Sequence, residues 1–188
     1  MIAATIDFFI LLLLCFVYLH HRLSFNLRQH LCDKIICITG GIDMKLSARG
    51  KNLIKSHEGL VLAVYPDPAT GGAPYTAGYG HTGCDVKPGM KVTQAMADAW
   101  FDKDVAKFES GVSALLAAPT TQGQFDAMVS LAYNIGLGNF GKSTLLKKHN
   151  ARCYTCAADQ FRVWNRANGK VMNGLTKRRA AEREVYMS

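Results

Sequence analysis

Glu58, Asp67 and Thr76 fall within a window of 19 residues. Two carboxyls and a hydroxyl are the parts needed to hydrolyse a glycosidic bond. One carboxyl, protonated, gives its proton to the leaving oxygen; the other, ionised, activates a water or attacks the sugar directly. The acid works best in a partly apolar setting that lifts its pKa toward the working pH. Glu58 has such neighbours in Gly59, Leu60 and Val61. Thr76 offers a hydroxyl to a water. The spacing alone also fits solvated charge at a helix end, because acidic residues beside glycine-rich turns are common.

The elements around these residues can be read from pattern. Ser47 is a good N-cap for a helix over Ala48 to His57, and Gly59 suits its C-terminal end, so Glu58 stands where the helix stops. VLAVY, 61–65, reads as a strand, and the Pro- and Gly-rich stretch 67–74 as a loop. YTAGYGHT, 75–82, reads as a second, tightly turned strand. Pro88 and Gly89 mark a further turn. Thr93 caps a long helix to about Leu116, whose stripe Phe101, Val105, Phe108, Val112 and Leu115 steps by four and three. That helix is roughly 36 Å long at about 1.5 Å per residue. Thr121 and Gln124 form a capping box for a helix through Ile135, closed by Gly136. Further helices are expected at Ser143–His149, Thr155–Trp164 and Thr176–Tyr186. The predicted class is α+β: a small β-hairpin lobe, a long connecting helix and an all-helical lobe.

Composition bounds the function. The chain has 188 residues, 49% hydrophobic and 19% charged, which excludes a disordered polymer. The formal charge is +8, and residues 1–43 contribute none of it, holding three basic and three acidic residues. The basic part is therefore residues 44–188. It is suited to polyanions: nucleic acid, anionic membrane, or the bacterial wall with its peptide carboxylates and teichoic phosphates. Six cysteines show no disulfide-framework spacing. Cys153 and Cys156 form a lone CxxC, read as incidental thiols near a helix start. No metal site, phosphate loop or Ser-His-Asp arrangement appears, so no cofactor is expected.

Residues 1–43 form a hydrophobic extension. Phe8–Leu19 is apolar throughout but short for a spanning helix of about 20 residues. It has no basic start and no small-residue cleavage site, unlike a signal peptide. Three readings follow. The extension is an uncleaved anchor, a signal-anchor, or an untranslated segment, since codons for Gly40 to Asp43 can encode a ribosome-binding run before a start at Met44. The catalytic domain is expected over residues 44–188.

Three ordered segments resemble one family. SHEGLVLAVYPDPATGGAPYTAGYGHT, 56–82, resembles the active-site segment of bacteriophage lysozymes and endolysins, glycoside hydrolase family 24. QFDAMVSLAYNIGLGNFGKSTLL, 124–146, and GLTKRRAAEREVY, 174–186, resemble that family's later motifs. The resemblance covers about residues 45–186. The segment from Asp67 to Thr76 is longer than in the shortest members. The resemblance implies a two-lobed lysozyme-like fold. It implies a muramidase that cleaves the β-1,4 bond between N-acetylmuramic acid and N-acetylglucosamine, with inversion, to lyse a host cell. Glu58 matches the family's general acid, Asp67 its second carboxylate and Thr76 its threonine. The implied partners are peptidoglycan and a pore-forming protein that gives access to the wall. The protein would be made in the host cytoplasm and act on the wall as a monomer, without nucleic acid. The alternatives are a non-catalytic wall binder of this fold, a basic nucleic-acid binder, and membrane disruption by the helix Lys177–Tyr186.

Other polar residues have two readings each. Tyr133, Asn134 and Ser143 could meet saccharide, or serve as a core tyrosine, a capping asparagine and an N-cap. Arg178 and Arg179 could line a cleft, but a solvated helix face is the preferred reading. His81 is expected to make a structural hydrogen bond or ion pair. Trp100 and Trp164 are expected in the core.

Overall fold

A computed structural model describes residues 44–66 and 71–188. Residues 1–43, and the readings placed on them, lie outside the described residues, as does Asp67.

The first helix, α1 (Ala48–Glu58), begins where expected: the Ser47 hydroxyl accepts from the Gly50 N–H at 3.2 Å. Ser47 is itself fixed from across the fold, its N–H donating to Asp126 Oδ1 at 3.0 Å and its hydroxyl donating to Oδ2. Gly59, at φ 72° and ψ 165°, ends the helix in a conformation that side chains resist. The chain then enters a three-stranded antiparallel sheet in the order β1 (Val61–Pro66), β2 (Tyr75–Gly78), β3 (His81–Thr82). The segment read as one turned strand over 75–82 is two strands. Gly78 and Gly80 both have positive φ, and the chain reverses around Tyr79 and Gly80 so that Ala77 faces His81 across the ladder.

α2 (Gln94–Leu115) joins the lobes. Thr93 caps it, accepting from Met96 N–H, and its buried stripe is Ala97, Phe101, Val105, Glu109 and Val112. It packs on β2 and β3 near its start and on the helical lobe further along. Gly78 permits the close approach: a Cβ there would lie 3.2 Å from that of Ala97. The lobe contact is also polar. His81 Nδ1 lies 2.6 Å from Asp104 Oδ2 and its Nε2 3.1 Å from Asp85 Oδ1, while its ring stacks on Trp100 at 4.8 Å. His81 is thus the structural residue it was expected to be.

The helical lobe is built around α3 (Gln122–Ile135), which opens with the predicted Thr121–Gln124 capping box. Every residue from Gln124 to Ala132 is buried, since α1, α2 and the last helix all pack on it. Two short helices follow, α4 (Leu137–Lys142) and α5 (Thr144–Asn150), of which only the second was expected. The expected helix over 155–164 is instead α6 (Tyr154–Ala158) and a 3-10 turn (Phe161–Trp164). Next comes a small hairpin, β4 (Arg166–Ala167) and β5 (Lys170–Val171), so the lobe is not wholly helical. α7 (Asn173–Tyr186) closes the chain. Cys153 and Cys156 are joined by a disulfide, Cα to Cα 5.2 Å, which corrects their reading as incidental thiols. Their place at the first turn of α6 brings the two backbones within bridging reach. Trp100 and Trp164 are partly buried against the core.

Candidate active site

Glu58 is the last residue of α1, and the positive φ of Gly59 turns the chain away beneath it. Its side chain is 22% exposed. Arg178 Nη1 donates to Oε1 at 2.6 Å. The other oxygen, Oε2, faces Gly80, where an added Cβ would sit 3.8 Å away. The partly apolar setting expected here does not come from Leu60 and Val61, which are exposed; Phe108, Leu175 and Met172 line the hollows beside Glu58 instead. A guanidinium holds one oxygen and leaves the other open.

Two hollows meet at this carboxyl. One, about 370 Å³, is lined by Glu58, Gly80, Thr82, Asp104, Phe108 and Tyr133, with Lys107 and Asn134 at its edge. The other, about 490 Å³, is lined by His57, Glu58, Asn134, Met172, Leu175 and Arg178 among others. Glu58 and Asn134 border both. A linear ligand crossing Glu58 would occupy the two in turn, and such a volume suits sugar-sized groups.

The remaining candidate residues divide. Thr76 is half-buried on β2, opposite Tyr65 of β1 and Thr82 of β3. Residues directly opposite in a ladder share a face, so Thr76 is on the side of Thr82, which lines the first hollow. Tyr133 is packed against the core and also reaches the wall of the first hollow. It packs on Phe101 and Phe108, donates to the Tyr79 carbonyl at 3.1 Å, and lines the first hollow. Burial, then the nearby Glu58 and Asp104, push its phenol pKa up, so it stays a neutral donor. Asn134 is exposed at the junction of the hollows. Ser143 is buried, lines neither hollow, and its hydroxyl caps α5 by accepting from Leu146 N–H.

Arg178 and Arg179 are a correction. They are 4% and 1% exposed, not a solvated face. Beneath them lies Glu182, fully buried, whose Oε1 accepts from Arg178 Nε at 3.1 Å, Arg179 Nη2 at 2.9 Å and the Ser130 hydroxyl at 2.7 Å. Arg178 Nη2 also donates to the Ser130 carbonyl at 3.2 Å. Two guanidiniums face two carboxylates, so the buried charges balance. Burial pushes the Glu182 pKa up against the pull of the arginines. The sequence held a signal for this network: both arginines precede Glu182 by one helical turn, at four and three residues. Asp104, Lys107 and Thr82, which also line the first hollow, carried no comparable mark. Among the described residues no group of His, Cys, Asp and Glu is placed to hold a metal ion. None of the described helices is long and apolar enough to cross a membrane.

Known proteins with this sequence and fold agree with one another. Residues 55–182 match the phage lysozyme family model. The chain is 46% identical to the endolysin of Bacillus phage B103 over 145 residues, which is 77% of this chain and 55% of that protein. It thus spans about half the length of that relative. It is 40% identical over 149 residues to the endolysin of Acyrthosiphon pisum secondary endosymbiont phage 1, covering 77% of this chain and 99% of that one. Among solved structures, the muramidase domain of SpmX from Asticaccaulis excentricus superposes with a TM-score of 0.71 at 36% identity, covering 77% of this chain and 98% of that one. With the small sheet, the bridging helix and the helical lobe all in place, the chain belongs to the phage lysozyme family.

Proposed function

We propose that this chain is a muramidase that hydrolyses the β-1,4 bond between N-acetylmuramic acid and N-acetylglucosamine in bacterial peptidoglycan. One observation carries the reading: a carboxyl with one oxygen held and the other open, set where two sugar-sized hollows meet. In the catalytically active form Glu58 carries a proton on Oε2, the oxygen Arg178 does not hold, and gives it to the glycosidic oxygen as the bond to the anomeric carbon breaks. Charge then develops on the sugar ring. A water held by Asp67 and Thr76 adds to the opposite face, Asp67 takes its proton, and the anomeric centre is inverted. Inversion asks for carboxyls roughly 6.5–9.5 Å apart, leaving room for that water. Asn134 and Tyr133, at the edge of the hollows, are the saccharide contacts in this scheme, and Arg178 orients Glu58. The chain acts as a monomer on the wall, reaching it through a pore made by another protein.

Glu58→Gln tests the scheme, since the amide preserves shape but has no proton to give. Release of dye from labelled peptidoglycan should fall by roughly 10²–10⁴-fold with the melting temperature nearly unchanged. Lysis at the wild-type rate would remove Glu58 from the acid role. Muropeptide mass spectrometry should find reducing-end muramic acid; a 1,6-anhydro product would mean transglycosylation instead.

A further inference from the structure

His57 precedes Glu58 on the last turn of α1 and borders the second hollow with Glu58, Arg178, Leu175 and Met172. It is half-buried, and among the described residues no hydrogen bond or ion pair reaches its ring. The two other histidines near the core differ: His81 and His149 each have both ring nitrogens engaged. His57 thus stands on the wall of the second hollow, next in sequence to the proposed acid.

We propose that the His57 ring is a hydrogen-bonding contact for the saccharide residue seated in the second hollow. This rests on the muramidase reading, in which a glycan crosses Glu58 and one sugar lies in each hollow. The charged groups facing the ring are Arg178 and Arg179 from α7 and Glu58 from its own helix. Burial, then the two guanidiniums, hold its pKa below the ordinary histidine value, against a smaller opposing pull from Glu58. The ring is accordingly neutral near pH 7. A neutral imidazole has one donor and one acceptor nitrogen, which matches a sugar hydroxyl or an acetamido group. An imidazolium would offer donors only.

The test uses the full chain and a peptide-free GlcNAc–MurNAc tetrasaccharide, with binding by calorimetry and turnover by product analysis in parallel. His57→Leu keeps the bulk and removes both nitrogens; His57→Gln restores an amide donor and acceptor. We expect His57→Leu to weaken binding about 2- to 10-fold, the range of one net hydrogen bond. His57→Gln should recover part of that loss, and in turnover the change should fall on KM more than on kcat. Equal affinity of wild type and a folded His57→Leu overturns the proposal. Tetrasaccharide binding without cleavage by the wild type overturns the muramidase reading instead, and the affinities of the two variants still decide the role of His57.

Discussion

Replacing Arg178 by Met tests the idea that α7 organises the site through one guanidinium. Arg178 is 4% exposed and contacts Glu58, Glu182 and the Ser130 carbonyl. Methionine keeps much of the apolar stem and removes the charge. Removing one partner of a buried ion pair costs about 3–5 kcal/mol, because the other charge stays buried. Arg179 remains 2.9 Å from Glu182 Oε1, which places the loss near the lower end, about 3 kcal/mol. For a domain of this size that is a fall of about 10 °C in melting temperature. The loss should also depend on pH. Burial already raises the Glu182 pKa, and Arg178 lowers it; without Arg178 it rises further. Between the ordinary carboxylate range and that raised value, the native state holds a proton that the unfolded chain has released. Stability therefore falls as pH rises through this window, so the deficit is smaller in acid and larger at neutral pH. Urea denaturation at several pH values, repeated with Glu182→Gln, measures it. A loss under about 1 kcal/mol, or the same loss in the Glu182→Gln background, would refute the argument.

His149 is fully buried against Tyr186 and Thr120, and burial lowers its pKa to about 4. The unfolded chain takes up its proton first as pH falls, so the fold should lose up to about 3 kcal/mol between pH 6.5 and 4. His149→Gln, if folded, should flatten that part of the stability profile; an unchanged slope would show the acid sensitivity to lie elsewhere. Gly59→Ala and Gly80→Ala form a matched pair, since both positions have positive φ, 72° and 85°. Each should cost about 1–3 kcal/mol, and the Gly80 methyl would lie in van der Waals contact with Glu58 Oε2, 3.8 Å away. Lysis per folded molecule should drop further for Gly80→Ala than for Gly59→Ala, and an equal drop in both would indicate a backbone effect.

The long elements were legible because caps and periodicity agree locally: Ser47, Thr93 and Thr121 all cap the helices assigned to them. Legibility failed where elements are shorter than the pattern needs. α4 and the 166–171 hairpin have only a few residues each and depend on the core for their shape. At the site, spacing and resemblance singled out Glu58, Asp67 and Thr76; Glu58 lines the first hollow, Thr76 is on the strand beside Thr82, and Asp67 lies outside the described residues. The arginines were misread because a helical wheel counts charge without knowing what lies beneath it. Glu182 was in plain view in the same helix, but its burial is set by Ser130 and α3, about 50 residues earlier. The neighbours of Glu58 were misplaced for a similar reason: Leu60 and Val61 are near in sequence but exposed, while Arg178 is distant in sequence and in contact.

The ion pair between Glu58 and Arg178 spans 120 residues of chain. A ribosome making this protein releases the acid early and the guanidinium that steadies it almost at the end. Throughout that interval the carboxyl lacks the contact that fixes Oε1 in the finished fold. A chain that ended before α7 would lack the guanidinium that holds this oxygen.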